Sequence, residues 1–240
     1  MNRSESVKNR NPILLGIQTG FPLFLGYFPA AVAFGLAAGF AGFTTQEGAF
    51  MSLIVFAGAS QFMTVSLVAA SAGMIEIVAA VFLLNFRHLL MSASLLPKLV
   101  PSRRLWFLQA FGVTDETFSV LSFTKHKLTP GFVLAVEFLA YSGWFLGTLT
   151  GLLAGDIIPG KLQLSLGIVL YALFVVLLVP EIKVDFRYGL VALLAGGFHA
   201  LLAHLSLLSS GWNIVAAIVL GSVAGAFIFF PKEMGGAKNE

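Results

Sequence analysis

Two acids stand side by side at Asp115 and Glu116, framed by Thr114 and Thr117, in a stretch that is otherwise apolar. An ionised side chain near the centre of a bilayer costs about 2.5–3.5 kcal/mol on insertion scales. Two adjacent carboxylates in low dielectric are costly to keep ionised together. One can pair with a cation while the other takes a proton or meets a substrate ammonium. Arg87 is the candidate cation, within Asn85-Phe86-Arg87-His88. Its planar fork matches a carboxylate in two-point contact. Asn85, His88 and Ser92 recur at three and four residues and form one polar helical stripe, with Arg87 pointing elsewhere on a regular helix. Two readings stay open for Arg87: it binds solute, or it pairs with Asp115 or Glu116 and locks two helices. For Asp115 and Glu116 the alternative to a site is a re-entrant segment with the acids capping a half-helix near water.

Other polar residues offer weaker chemistry. Ser60, Gln61 and Thr64 make a small patch beside Gly58, either solute contact or glue between helices. Glu76 is the third residue of its segment and reads as an end residue that can reach the interface; Glu137, within about two turns of its segment's start, reads as snorkelling or meeting a loop. His199 and His204 are five apart, so they do not share a helical face. There is no Gly-x-x-x-x-Gly-Lys-Ser/Thr loop for nucleotide and no His-Glu-x-x-His pair for zinc. With no cysteine either, no metal site and no cofactor are expected. The solute-contact candidates are therefore Gln61, Asn85, Arg87, Asp115 and Glu116. Asp115, Glu116 and His88 are the candidates for carrying a proton.

The elements that must hold these residues are membrane helices. The chain has 240 residues, 58% hydrophobic and 10% charged, with mean hydropathy +0.93. Fourteen Lys/Arg and eleven Asp/Glu cannot cover a water-soluble globule of this size. The net charge of +3 resides mostly in short connections, as orientation signals do, so no nucleic-acid partner is expected. About 20 apolar helical residues span the hydrocarbon. Eight stretches approach or exceed that: 13–42, 49–72, 74–96, 105–124, 130–154, 162–180, 188–208 and 212–230. The first is too long for the core of a removable signal and reads as a membrane segment. The expectation is an all-α polytopic membrane protein, a bundle of about 7–8 transmembrane helices, some discontinuous or re-entrant. A basic tail (1–12) precedes a single transmembrane domain (13–230), and a polar tail (231–240) follows.

The basic residues leave the topology open. With eight crossings they divide nine to four; if 105–124 dips and returns, the ratio is the same with the N-terminus on the other side. Both arrangements put the C-terminus inside.

Segment 13–42 carries Gly20, Pro22, Gly26 and Pro29. Either the prolines kink the helix, or Pro22, Gly26 and Pro29 mark a break that lines the substrate site. Gly143, Gly147, Gly151 and Gly155 are spaced by four and lie along one helix face, where backbones can approach closely.

Several motifs together resemble the AzlC family of branched-chain amino acid permeases, the large subunit of a two-component bacterial exporter. They are Pro22-Leu-Phe-Leu-Gly-Tyr-Phe-Pro29 leading to Ala33-Phe34-Gly35, and Val55-Phe56-Ala57-Gly58-Ala59-Ser60-Gln61-Phe62. Asn85-Phe86-Arg87-His88-Leu89-Leu90-Met91, Thr114-Asp115-Glu116-Thr117-Phe118, and Trp144 with Gly147-Thr148 and Gly151 complete the set. The resemblance covers about residues 20–155. It implies export of leucine, isoleucine, valine and methionine across a bacterial inner (cytoplasmic) membrane, coupling to the proton gradient, and a small AzlD-type membrane partner. Against this transport reading stand an intramembrane enzyme acting on a lipid or prenyl substrate, with Asp115, Glu116 and His88 as acid–base groups, and a structural membrane subunit.

Overall fold

The computed structural model describes residues 11–100, 102, 104–124, 127–155, 175, 178–179, 182–206, 208 and 210–236. These form helices α1 (Pro12–Phe40), α2 (Thr45–Ile54), α3 (Gly58–Ala69), α4 (Met74–Leu95), α5 (Trp106–Phe111), α6 (Asp115–Phe123), α7 (Pro130–Gly155), α8 (Arg187–Leu205) and α9 (Ser210–Gly236). Five helical stretches among the described residues are long and apolar enough to cross a membrane: Pro12–Phe40, Met74–Lys98, Pro130–Gly155, Arg187–Leu205 and Gly211–Ile228. The protein is an all-α, multi-pass membrane protein. Its outer surface fits lipid: on α4, Met74, Ile75, Val78, Phe82, Phe86, Leu89 and Leu90 are all exposed. The expected segment 162–180 lies almost wholly outside the described residues.

The chain divides into two compact units, Met1–Phe62 with Leu84–Leu166, and Met63–Leu83 with Gly167–Glu240. In the second unit, Leu67, Ala80 and Val215 form a buried cluster. There α8 and α9 run antiparallel, with Gly221 against Ala195 and Gly225 against Val191. Glu76 accepts from the Gly73 N–H at the start of α4, an acid at a helix N-terminus.

The first unit is built on a seam between α1 and α7. α1 starts cleanly because the Asn11 side chain accepts from the Ile13 N–H and Pro12 needs no donor in the first turn. Along the seam Gly16 faces Phe132, Gly20 faces Val136, and Gly143, Gly147 and Gly151 face the carbonyls of Phe24, Phe28 and Val32. Residue numbers rise together, so α1 and α7 are parallel. A Cβ on Gly151 would lie 2.1 Å from the Val32 oxygen, and one on Gly147 would lie 2.4 Å from the Phe28 oxygen. Only glycine allows backbones to come this close.

The break expected at Pro22, Gly26 and Pro29 is absent: α1 is one continuous helix with both prolines inside it. Each proline removes one backbone donor. The seam holds the helix axis on both sides of each loss.

The breaks lie elsewhere. Segment 49–72, expected as one crossing helix, is two short helices separated at 55–57, and segment 105–124 is two short helices separated at 112–114. α2 has 10 residues, α3 12, α5 6 and α6 9. At 1.5 Å per residue none spans a hydrocarbon core about 30 Å thick.

Each pair doubles back. Gly48 packs on Leu152 and Ser52 bonds Thr148, so α2 runs against α7 toward mid-depth. Gln61 then bonds Ser52, and Phe62 meets Phe34, so the chain reverses at the break and the first turn of α3 lies back beside α2. From the other end, Leu95 packs with Leu128, Phe132 and Val133, and the Val100 N–H donates to the Leu128 carbonyl. The connection after α4 therefore lies beside the start of α7. α5 descends from there, and α6 returns to it, with Lys98 Nζ on the Ser122 carbonyl. Segment 105–124 thus takes the re-entrant form. Within the first unit, the α2–α3 break and the α5–α6 hairpin are approached from opposite ends of α7.

Candidate functional site

The tips of the hairpins meet at Tyr27, halfway along α1. Its ring packs edge-on to Trp144 (5.8 Å) and against Phe56 (5.7 Å), which belongs to the α2–α3 break. Phe56 in turn meets Phe111 at the end of α5 (6.4 Å) and Tyr141 of α7 (5.4 Å). The Tyr27 hydroxyl lies 2.6 Å from Thr114 Oγ1 and donates to Glu116 Oε2. One side chain therefore touches both breaks. Sequence reasoning passed over Tyr27. The signal available was a lone phenol between two helix prolines, inside a charge-free run.

Each break has its loose backbone ends tied. The Leu53 carbonyl, near the end of α2, accepts from the Tyr141 hydroxyl at 2.8 Å. Gly58 opens α3 under the face of Trp144, where a Cβ would lie 2.7 Å from the indole. α6 opens with a reciprocal cap: the Thr114 N–H donates to Thr117 Oγ1, and the Thr117 N–H donates to Thr114 Oγ1. Asp115 and Glu116 occupy its first turn, where the helix dipole favours negative charge. The first turn of α3 has no acid.

The structure gathers most of the sequence candidates around these tips. Arg87 Nη2 lies 2.9 Å from Asp115 Oδ2, joining α4 to the start of α6, with side-chain exposures of 40% and 48%. Arg87 Nε is buried with no acceptor among the described residues. Asn85 Oδ1 accepts from Ser60 Oγ at 2.6 Å. Gln61 is buried and donates to Ser52 Oγ at 2.8 Å, and Ser52 meets Thr148 at 2.9 Å. That chain of three ties α2, α3 and α7 together, so Gln61 braces the first hairpin. His88 follows Arg87 on α4 and is half-buried. His199 and His204 lie on α8, whose residues are all at least partly exposed.

Of the two expectations for Glu137, snorkelling is overturned, and a contact from the α5–α6 break is what the structure shows. Glu137 does not reach an interface; it is 4% exposed on α7, and neither carboxyl oxygen has a hydrogen-bond partner among the described residues. The α5 end covers it, through Gly112. Position along a helix gave no hint of this, because the hairpin that buries Glu137 comes from another part of the chain.

This constellation covers α1 through α7. The AzlC protein family model matches residues 22–158, the same span. The chain belongs to the AzlC family. Relatives of this AzlC-family chain reach across most of its length. A membrane protein of Archaeoglobus fulgidus is 36% identical over 208 residues, covering 85% of this chain and 90% of that one. Inner membrane protein YgaZ of Escherichia coli is 31% identical over 218 residues, 86% of each chain. Branched-chain amino acid transport protein AzlC of Bacillus subtilis is 24% identical over 183 residues, covering 73% of this chain and 71% of that one. No solved structure matches the chain.

Proposed function

We propose that this AzlC-family protein is a secondary transporter that exports branched-chain amino acids, coupled to protons and working with a small AzlD-type membrane subunit. The observation that carries the reading is the meeting of two opposed half-helix hairpins on Tyr27, with an ion pair at the tip of one. Broken helices whose ends point at mid-depth are how many transporters hold a charged solute without exposing backbone to lipid. The name of the Bacillus subtilis relative supports branched-chain amino acids as the substrate class.

The geometry suits a zwitterion. Arg87 and Asp115 satisfy each other at 2.9 Å in the structure. An amino acid brings both partners at once: its ammonium replaces Arg87 at Asp115, and its carboxylate replaces Asp115 at Arg87. The start of α3, with its helix dipole and no acid in the first turn, offers a second anchor for the carboxylate. An aliphatic side chain needs only an apolar wall, which Tyr27, Phe56 and Phe111 supply. Uncharged or singly charged solutes leave one member of the pair without a partner.

Orientation follows from the basic residues. Of the nine Lys/Arg before Gly155, Arg3, Lys8 and Arg10 precede α1, and Lys98, Arg103, Arg104, Lys125 and Lys127 lie between α4 and α7; Arg87 is within α4. The 41–44 connection at the other face has none. The positive-inside rule places the N-terminus and the α5–α6 entrance in the cytoplasm, and the α2–α3 entrance outside. The relative named an inner membrane protein supports that membrane as its location.

Labelled leucine efflux and uptake in proteoliposomes, with and without a pH gradient and a small partner subunit, tests the reading. Arg87→Ala and Asp115→Asn are expected to insert and lose transport. Unchanged transport in both overturns the site.

A further inference from the structure

From the buried carboxyl of Glu137 and the cavity it lines, we infer that Glu137 takes up and releases the proton that sets the position of the α5–α6 hairpin. This rests on the transport reading above for its purpose, but not for its chemistry.

A cavity of about 170 Å3 lies between α4, α5 and α7, lined by Leu95, Leu99, Trp106, Gln109, Val133 and Glu137 among others. Its walls are mostly apolar, with Ser92 at one margin, and two of its polar side chains are buried without partners among the described residues: Glu137, with both oxygens, and Gln109, with its amide oxygen and nitrogen, at 4% and 2% exposure. Buried polar groups are nearly always satisfied, so two facing one cavity call for a role. Within the first unit, the titratable groups on the surrounding elements are Tyr27 on α1, Arg87 and His88 on α4, Lys98 just after α4, Asp115 and Glu116 on α6, and Tyr141 on α7 itself, with Lys98 Nζ on the Ser122 carbonyl. Arg87 is engaged by Asp115, Tyr27 by Glu116 and Thr114, and Tyr141 by the Leu53 carbonyl. Neither they nor His88 hydrogen-bond to Glu137.

A neutral carboxylic acid fits that setting, whereas an ionised one has neither a cation nor a donor. On losing its proton to water, Glu137 needs the Gln109 amide or water itself to face the negative charge. Gly112 is the obstacle. A Cβ there would lie 2.5 Å from Glu137 Cδ, so the end of α5 rests directly on the carboxyl. The cavity can seat water beside the carboxyl, and full exposure of the carboxylate to bulk water lifts the hairpin off α7. The same hairpin carries Thr114, Asp115 and Glu116, so lifting it loosens Tyr27–Glu116 and Arg87–Asp115 together. Re-protonation from water lets the hairpin settle again. One proton leaves and one returns per cycle, with no other reactant.

The test uses full-length protein and Glu137→Gln, which keeps size and removes the proton. In proteoliposomes, Glu137→Gln is expected to retain leucine–leucine exchange and to lose net transport driven by a pH gradient. A Glu137→Gln protein that accumulates leucine against its gradient like wild type overturns the proton assignment. A wild-type protein that moves no leucine in either mode overturns the transport reading instead. Infrared difference spectra across a pH titration then decide the proton site alone. A protonated-carboxyl band that titrates in wild type and is missing in Glu137→Gln supports it, and identical spectra overturn it.

Discussion

Replacing Tyr27 with phenylalanine removes one oxygen and leaves the ring contacts to Phe56 and Trp144 in place. What is lost is the hydroxyl donated to Glu116 and shared with Thr114. Thr114 keeps Thr117 as a partner, so the main loss is one hydrogen bond to a carboxyl group. Such bonds to charged acceptors contribute about 1.5–3 kcal/mol. If they hold the α5–α6 hairpin to α1, the open fraction of the hairpin rises about 10- to 150-fold, by the exponential of that energy over RT. The chain has no cysteine, so Val113→Cys gives a clean reporter on a residue that is 5% exposed. Its reaction rate with a water-soluble maleimide should rise by that factor in the Tyr27→Phe background. Tyr141→Phe is the control: its hydroxyl bonds Leu53 on the other hairpin, and labelling at 113 should stay at the wild-type rate. An unchanged rate in Tyr27→Phe, or an equal rise in both, refutes the idea that Tyr27 fastens this hairpin.

Further outcomes follow from the same structure. Gly151→Ala puts a methyl 2.1 Å from the Val32 oxygen and should lower stability by about 1–3 kcal/mol, whereas Gly26→Ala, with nothing within 4 Å, should be neutral or gain up to about 1 kcal/mol; thermal unfolding in detergent separates them. Ser102→Cys and Lys127→Cys should both label from the cytoplasmic face and Gln46→Cys from the other; opposite labelling of 102 and 127 would show that 105–124 crosses. A charge swap, Arg87→Asp with Asp115→Arg, should insert and keep wild-type stability while leaving leucine transport lost; recovered transport would make the pair a lock and not a binding site. The Thr44 N–H and hydroxyl hold the exposed Glu47 carboxyl below its usual range. Its folded form binds the proton less readily than the unfolded form, so the cap's contribution is complete above the ordinary glutamate range and is lost as pH falls through the lowered value. Hydrogen exchange at the start of α2 should therefore quicken in acid, and Glu47→Gln should abolish that pH dependence.

Long apolar helices were readable from sequence because lipid imposes a length and a composition. The α1, α4 and α7 stretches satisfied both. The α2–α3 hairpin satisfied them too, and so passed for a crossing: Val55-Phe56-Ala57 is as apolar as a spanning helix, since the turn is wrapped by protein and needs no polar residue. The α5–α6 hairpin was legible as an alternative, because basic residues stand on both sides of it and Asp115 and Glu116 sit at its middle. Prolines misled in α1, where the glycine seam with α7 keeps the helix continuous. Arg87, Asp115 and Glu116 stood out because charge is rare in oil. Tyr27 and Glu137 did not, because their importance comes from which distant segment lands on them.

Tyr27 sits where the outer and inner hairpins touch the same ring, Phe56 from one side and Thr114 from the other. A phenol has one position at a time. Its ring is packed on one tip while its hydroxyl is spent on the other, so a shift of either tip that carries Tyr27 with it must disturb the other as well.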